Sequence, residues 1–366
     1  METKIWDLRS YRNDIQQSTD VLEIKDTVLN GGLVALPTET VYGLGADATN
    51  QEAVSQIYEA KGRPSDNPLI VHIHDMSQMN DFIDKVEPRV QQLMETFWPG
   101  PISFILPLKS GYLCPKVTGG LNSIAVRMPS HPIGRGVLQQ IDKPIAAPSA
   151  NISGRPSPTT FEHVYQDLNG RIDGIINGDQ SEEGLESTVL DCTQYPFRIA
   201  RPGSITKMML ENVIPNCIES SNYNEASQPI APGMKYKHYS PDTPVTILKE
   251  LNKKILDNKK WEQVAFVVPD SLSHFLPKEA TYIKLCDNEA DIKQANHLLY
   301  SILHEIDQRV DIIQAYIYGF DESDQSEAIM NRMLKAAGNK IVKEASLWKW
   351  CLFVQAIPAE VQWLKV

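Results

Sequence analysis

Paired cysteines are missing from this 366-residue chain. Cys114, Cys192, Cys217, Cys286 and Cys351 form no Cys-x-x-Cys pair, and their spacing fits no zinc pattern. An odd, scattered set suits a reducing compartment and predicts a cytoplasmic protein. No apolar run approaches the roughly 18 residues of a membrane span. Residues 1–12 are charged and polar, unlike a signal peptide, so no membrane partner is expected. Positive charge is not in excess either. The net charge is −11, and after Thr243 there are 15 Lys and Arg against 17 Asp and Glu. Neither half is a basic nucleic-acid-binding domain, so any RNA contact would have to be local. There is no Gly-x-x-x-x-Gly-Lys loop, so a bound nucleotide would be held without that cradle. Carboxylates do not cluster, which predicts no resident metal cage. No internal repeat or low-complexity tract appears.

What is present suffices for ordinary cores, with 42% hydrophobic residues and a length that suggests two domains. Residues 61–74 read Lys-Gly-Arg-Pro-Ser-Asp-Asn-Pro-Leu-Ile-Val-His-Ile-His. Lys61 and Arg63 flank a glycine that lets backbone approach a ligand, and Pro64 and Pro68 stiffen the loop. Such a cationic loop feeding a buried strand can hold a phosphate chain. Alternation predicts that His72 and His74 share one face of that strand. A strand over residues 33–36 runs into the polar turn 37–47, with two hydroxyls, a carboxylate and a phenol before two glycines. Helical spacing covers residues 20–30, 51–61 and 81–97, the last interrupted near Pro88.

Arg127 lies in the apolar strand 124–128, where a charge is costly unless it is paired or faces a ligand. A carboxylate suits its guanidinium fork, and both a ligand and a structural ion pair meet that need. The strand 144–147 ends in Pro-Ser-Ala-Asn-Ile-Ser-Gly-Arg-Pro-Ser-Pro-Thr, a loop rich in neutral donors for phosphate and ribose oxygens. Residues 186–191 and 201–205 add hydroxyls and Arg201. Residues 215–244 are polar and proline-dotted, as a linker is, yet 231–241 carry two lysines, two tyrosines and a histidine. After Pro244, strands near 245–248, 264–268, 282–285 and 316–318 alternate with helices over 291–310 and 326–338, implying a small doubly wound α/β domain. The tryptophan-rich residues 345–366 are strongly apolar.

Taken together, the stretches 37–47, 61–73, 123–127, 149–159, 186–191, 201–205 and 232–241 resemble the Sua5/YrdC family of threonylcarbamoyl-AMP synthases, in its long form. The resemblance runs from about Asp14 to Lys343, and the tail lies outside it. It implies an α/β fold with a YrdC-like twisted mixed sheet and a concave cavity, plus a smaller Rossmann-like Sua5 domain. The implied division is a catalytic domain over 14–214, a linker or lid over 215–244, a C-terminal domain over 245–343 and a tail over 344–366. The implied reaction joins L-threonine, bicarbonate and ATP into threonylcarbamoyl-AMP and pyrophosphate. Downstream threonylcarbamoyl transferase proteins would then modify adenosine 37 of tRNA.

By the same resemblance, Thr40, His72, Arg127 and Ser187 hold threonine, with Arg127 on its carboxylate. Arg63, Asn67, Ser123, Ser149, Asn151, Ser157 and Arg201 hold ATP, and Tyr239 covers it. Lys61, with Arg63, is the expected catalytic pair, stabilising charge near the α-phosphate or the carbamate. Mg²⁺ is expected on the ATP phosphates rather than on the protein. Two other readings compete: an RNA-binding module of the same fold without catalysis, and a carbamoyl-transfer enzyme like the hydrogenase-maturation proteins. The acidic charge counts against the first. The second expects zinc-finger cysteine pairs and an acylphosphatase-like segment, and neither is in this sequence.

Overall fold

The computed structural model describes residues 2–65, 67–219, 238–255 and 259–343. The 215–244 linker therefore lies largely outside the described residues, as does the tail from 344. Ten strands form one mixed sheet in the order Lys4–Asp7, Gly174–Asn177, Val34–Leu36, Gly43–Asp47, Ile145–Ala146, Ile70–His72, Ser123–Arg127, Ile102–Pro107, Thr188–Asp191, Arg198–Arg201. A second sheet has five strands, all parallel, in the order Thr281–Lys284, Val264–Val268, Gln314–Tyr318, Val245–Lys249, Ile341–Lys343. Parallel neighbours joined by helices are what the alternating pattern after Pro244 predicts.

Alternation along one strand covers both faces of the large sheet. Leu33 and Ala35 enter one core with Tyr42, Val71 and Phe104. Val34 and Leu36 enter another with Trp6, Ile24 and Val137. The helix Asp20–Leu29 supplies that second face through Val21, Ile24 and Val28, one turn or two apart. The helix Gln51–Lys61 starts where the Asn50 side chain accepts the N–H groups of Glu52 and Ala53. It stops at Gly62, whose φ of 61° and ψ of 35° give the left-handed turn that glycine tolerates. That stop places Lys61 on the last helical turn and Arg63 just beyond it.

Several local expectations are corrected. The Gly43–Asp47 stretch is not part of a turn but a buried strand, antiparallel to Val34–Leu36. Its Gly45 needs the space: a Cβ there would meet Leu36 Cδ2 at 2.6 Å. The helix expected from residue 81 begins at Pro88, which occupies the first turn where its missing N–H costs nothing. The strand bearing His72 ends there, so His74 does not share its face. Its Nε2 lies instead 2.9 Å from Asp142.

The two sheets meet through a continuous interface. Val41, Leu185 and Tyr239 join the apolar cluster of Leu299, Tyr300 and Leu303 from the second sheet's helix Ile292–Gln308. The Ser240 N–H donates to the Gly154 carbonyl at 2.9 Å. The rings of His163 and His304 stack across the interface with centroids 4.0 Å apart. Burial pushes His163 down to about 4, and burial with the facing His163 ring pushes His304 down to about 3. An unfolded histidine titrates near 6.5. Between those values the unfolded state binds more protons, so stability present above about pH 6.5 is lost as pH falls. His163→Phe is therefore expected to flatten the fall of the melting temperature between pH 7 and 4. The contribution at stake is roughly 3 kcal/mol at the acid limit. Parallel wild-type and variant curves in a thermal-melt series would contradict this.

Candidate active site

The ends of several strands open on one cleft. Its walls enclose about 530 Å³ of space that includes open solvent, within the range that holds a small ligand. In the ladder, His72 lies directly opposite Arg127, and Arg127 opposite Ser103. Thr40 comes from the turn between Val34–Leu36 and Gly43–Asp47. Ser149 follows Ile145–Ala146, Glu186 and Ser187 precede Thr188–Asp191, and Arg201 ends its strand. His238 and Tyr239 close the cleft from the chain that leads to the second sheet.

Arg127 is held on three sides. Its Nη1 donates to Thr40 Oγ1 at 2.8 Å and its Nε to the Gly100 carbonyl at 3.4 Å. Glu39 Oε1 lies 2.7 Å from Nη2, a charge pairing rather than an aligned hydrogen bond. Both side chains are buried. The arginine in an apolar strand thus has an ion-pair partner and still lines the cleft. Arg201 donates through Nε and Nη2 to the Ser187 carbonyl at 3.1 and 3.0 Å, and through Nη2 to Ser187 Oγ at 3.1 Å. Ser187 Oγ is also 2.9 Å from Ser103 Oγ. Arg63 donates to the Pro68 carbonyl at 3.4 Å. Burial and the adjacent Arg127 charge lower His72 to about 3, so it presents a neutral ring near pH 7. Burial, with Arg63 and Lys335 nearby, holds His238 at about 3 as well. Three guanidiniums and neutral donors on one concavity can hold anions without a covalent nucleophile.

The expected site residues divide into two sets. Thr40, Arg63, His72, Arg127, Ser149, Ser187, Arg201 and Tyr239 line the cleft. Lys61, Asn67, Ser123, Asn151 and Ser157 do not. Lys61 is buried behind it, and its Nζ donates to the carbonyls of Ser149 and Asn151. Burial and the Arg63 charge lower its pKa. The Asn151 amide donates to the carbonyls of Ile152 and Arg155, which shapes the loop. Ser157 Oγ donates to Glu186 at 2.5 Å. Ser123 opens the strand that ends in Arg127, roughly 13 Å of strand away. Asn67 is buried, and among the described residues its Oδ1 accepts no hydrogen bond.

Sequence reasoning missed Glu39 and Glu186 as site residues, although both stand inside the stretches that drew attention. It also missed Tyr300 and Arg332 in the second domain. Tyr300 Oη donates to Glu186 at 3.0 Å from both carboxylate oxygens, and Arg332 Nε donates at 2.7 Å. Neither has a local signal, since each reads as an ordinary helix position. Among the described residues, no three His, Cys, Asp or Glu side chains converge to hold a metal, and no helix is long and apolar enough to cross a membrane. Glu186 at the cleft and Glu39 beside Arg127 are both engaged by arginines.

The chain's likeness to other proteins agrees with this geometry. Residues 26–203 match the Sua5/YciO/YrdC family, described as telomere recombination, and residues 205–338 match the threonylcarbamoyl-AMP synthase C-terminal domain. A threonylcarbamoyl-AMP synthase of Bacillus subtilis is 41% identical over 350 residues, covering 94% of this chain and all of that protein. One from Pyrococcus abyssi is 39% identical, covering 86% of this chain and 93% of its own length. The crystal structure of P. abyssi Sua5 complexed with L-threonine superposes with a TM-score of 0.80 at 35% identity, over 93% of this chain and 99% of that one. With a mixed sheet, a parallel sheet and relatives matched over most of their length, the chain belongs to the Sua5/YrdC family, as an enzyme of its two-domain threonylcarbamoyl-AMP synthase form.

Proposed function

We propose that this enzyme makes threonylcarbamoyl-AMP and pyrophosphate from L-threonine, bicarbonate and ATP. The observation that carries the reading is the convergence of Arg63, Arg127 and Arg201 with neutral His72 on one cleft. Threonine's amine attacks the bicarbonate-derived carbon, and water leaves. The carbamate oxygen then attacks the α-phosphorus of ATP, and pyrophosphate leaves. Both steps need positioning and cationic stabilisation. Thr40, His72, Arg127 and Ser187 sit together as a threonine subsite, with Arg127 taking the carboxylate. Arg63, Asn67, Ser123, Ser149, Asn151, Ser157 and Arg201 are assigned to ATP. Lys61 is assigned the charge developing near the α-phosphate or carbamate, from its position beside the Ser149 loop. Mg²⁺ is assigned to the ATP phosphates, as part of the substrate.

The proposed catalytic unit spans 14–214, with a linker or lid over 215–244, a C-terminal domain over 245–343 and a tail over 344–366. The linker covers the site through Tyr239 and excludes water from a labile adenylate; residues 235–237 of that lid lie outside the described residues. The product passes to threonylcarbamoyl transferase proteins in the cytoplasm for modification of adenosine 37 of tRNA. Pyrophosphate release with Mg²⁺ and bicarbonate tests the reading. Release should require threonine and fall about a hundredfold or more in Lys61→Ala, which removes the buried amine that holds the Ser149 loop from behind the cleft. Threonine-independent release would overturn the acceptor assignment.

A further inference from the structure

The second domain reaches the cleft through one buried cation. Arg332, on the helix Glu327–Ala336, is fully buried. Its Nε donates to Glu186 Oε2 at 2.7 Å, and its Nη2 to the carbonyl of Pro202, next to Arg201, at 2.9 Å. Its guanidinium carbon lies 5.4 Å from the Tyr239 ring centre. Tyr300, from the helix Ile292–Gln308, donates to both Glu186 oxygens and packs its ring 5.6 Å from that of Tyr239. Glu186, Arg201 and Tyr239 all line the cleft. Burying an arginine is expensive unless its partners are good, and among the described residues Arg332 is met by Glu186 and Tyr239 of the cleft, by Pro202 beside Arg201 and by Asn331 of its own helix.

We infer that Arg332, assisted by Tyr300, is a positioning residue for the nucleotide side of the cleft, acting through Glu186, Tyr239 and the Arg201–Pro202 backbone. This rests on the assignment of ATP to that side. Glu186 is the difficulty the device solves. Its carboxylate faces a cleft built for phosphates, where an uncompensated negative charge would repel them. Burial alone would raise its pKa, but the charges of Arg332 and Arg201 outweigh burial and hold it at about 2. With Arg332 seated, the carboxylate is neutralised from behind and its oxygens orient Ser157 and Tyr300. The nucleotide wall is therefore complete only when the second domain is docked.

The test uses the full chain. Arg332→Met should raise the KM for ATP about tenfold, through an orphaned carboxylate, while the KM for threonine stays within about twofold. Adding Glu186→Gln should bring the ATP KM back most of the way, because the repulsive charge is gone. Tyr300→Phe, which loses only a hydroxyl, should raise the ATP KM about threefold, and it serves if Arg332→Met fails to fold. Calorimetry with a non-hydrolysable ATP analogue and Mg²⁺ should show the same ranking without any threonine. Equal changes in both KM values, or a loss of active fraction alone, would reduce Arg332 to a structural tie and overturn the inference. If wild-type pyrophosphate release ignored threonine while analogue binding kept the ranking, the positioning role would stand and the threonine assignment would fall.

Discussion

Arg127→Met is expected to lower kcat/KM for threonine by about a hundred- to a thousandfold, the cost of removing one partner of a desolvated charge pair. The KM for ATP should change little. Arg127 keeps hydrogen-bond capacity beyond its contacts with Glu39, Thr40 and Gly100, because the guanidinium carries five donors. Threonine's carboxylate would take the part of the fork that faces the cleft. Stability should fall as well, by roughly 3–5 kcal/mol, because Glu39 would be left buried without its counter-ion. The two effects separate in the double variant Arg127→Met with Glu39→Gln. That protein should regain much of the lost stability in urea melts, yet remain inactive with threonine. A double variant that recovered activity along with stability would show that Arg127 only neutralises Glu39, and the threonine assignment would fail.

Glu186→Ala should produce the largest stability loss of any single change at the domain interface, again roughly 3–5 kcal/mol. The reason is that Arg332 has no exposed surface to retreat to, while Ser157 and Tyr300 lose their acceptor at the same time. The pH dependence carries an independent check. An ordinary glutamate in the unfolded chain titrates near 4.3. In the fold Glu186 is held at about 2, so the folded state binds fewer protons between those values. The stability it contributes is fully present above about pH 4.3 and is lost as pH falls toward 2. The gap between wild type and Glu186→Ala in denaturant midpoints should therefore be wide at pH 6 and should narrow at pH 3. A gap of constant width would mean that the carboxylate's charge is not what binds the domains.

Local chemistry was enough to find the cleft. A proline-stiffened Lys-Gly-Arg loop, a polar turn after a strand and a Ser-Ala-Asn loop each signal a site through side chains adjacent in sequence, and so did the arginine inside an apolar strand. The same reasoning went astray where the outcome depended on neighbours across the sheet. Gly43–Asp47 looks like a turn because its glycines are turn formers, but Val34–Leu36 pairs with it and makes it a strand. His74 was given the face of His72 by alternation, but the strand stops one residue after Val71 and the chain turns His74 toward Asp142.

What the sequence determined by itself was therefore the family, the two-part α/β architecture and the chemical character of the cleft, because these are written in contiguous motifs and in the spacing of apolar residues. The tertiary structure alone decided which of the motif residues face the cleft and which support it. It turned Lys61 toward the carbonyls of Ser149 and Asn151, bent Ser157 onto Glu186 and paired Arg127 with Glu39. It also joined Glu186 to Arg332, which lies 146 residues further along the chain. No spacing rule reaches across that separation. A buried charge takes its partner from whatever the packed domains bring within hydrogen-bond distance, and that is settled only when both sheets have folded and met.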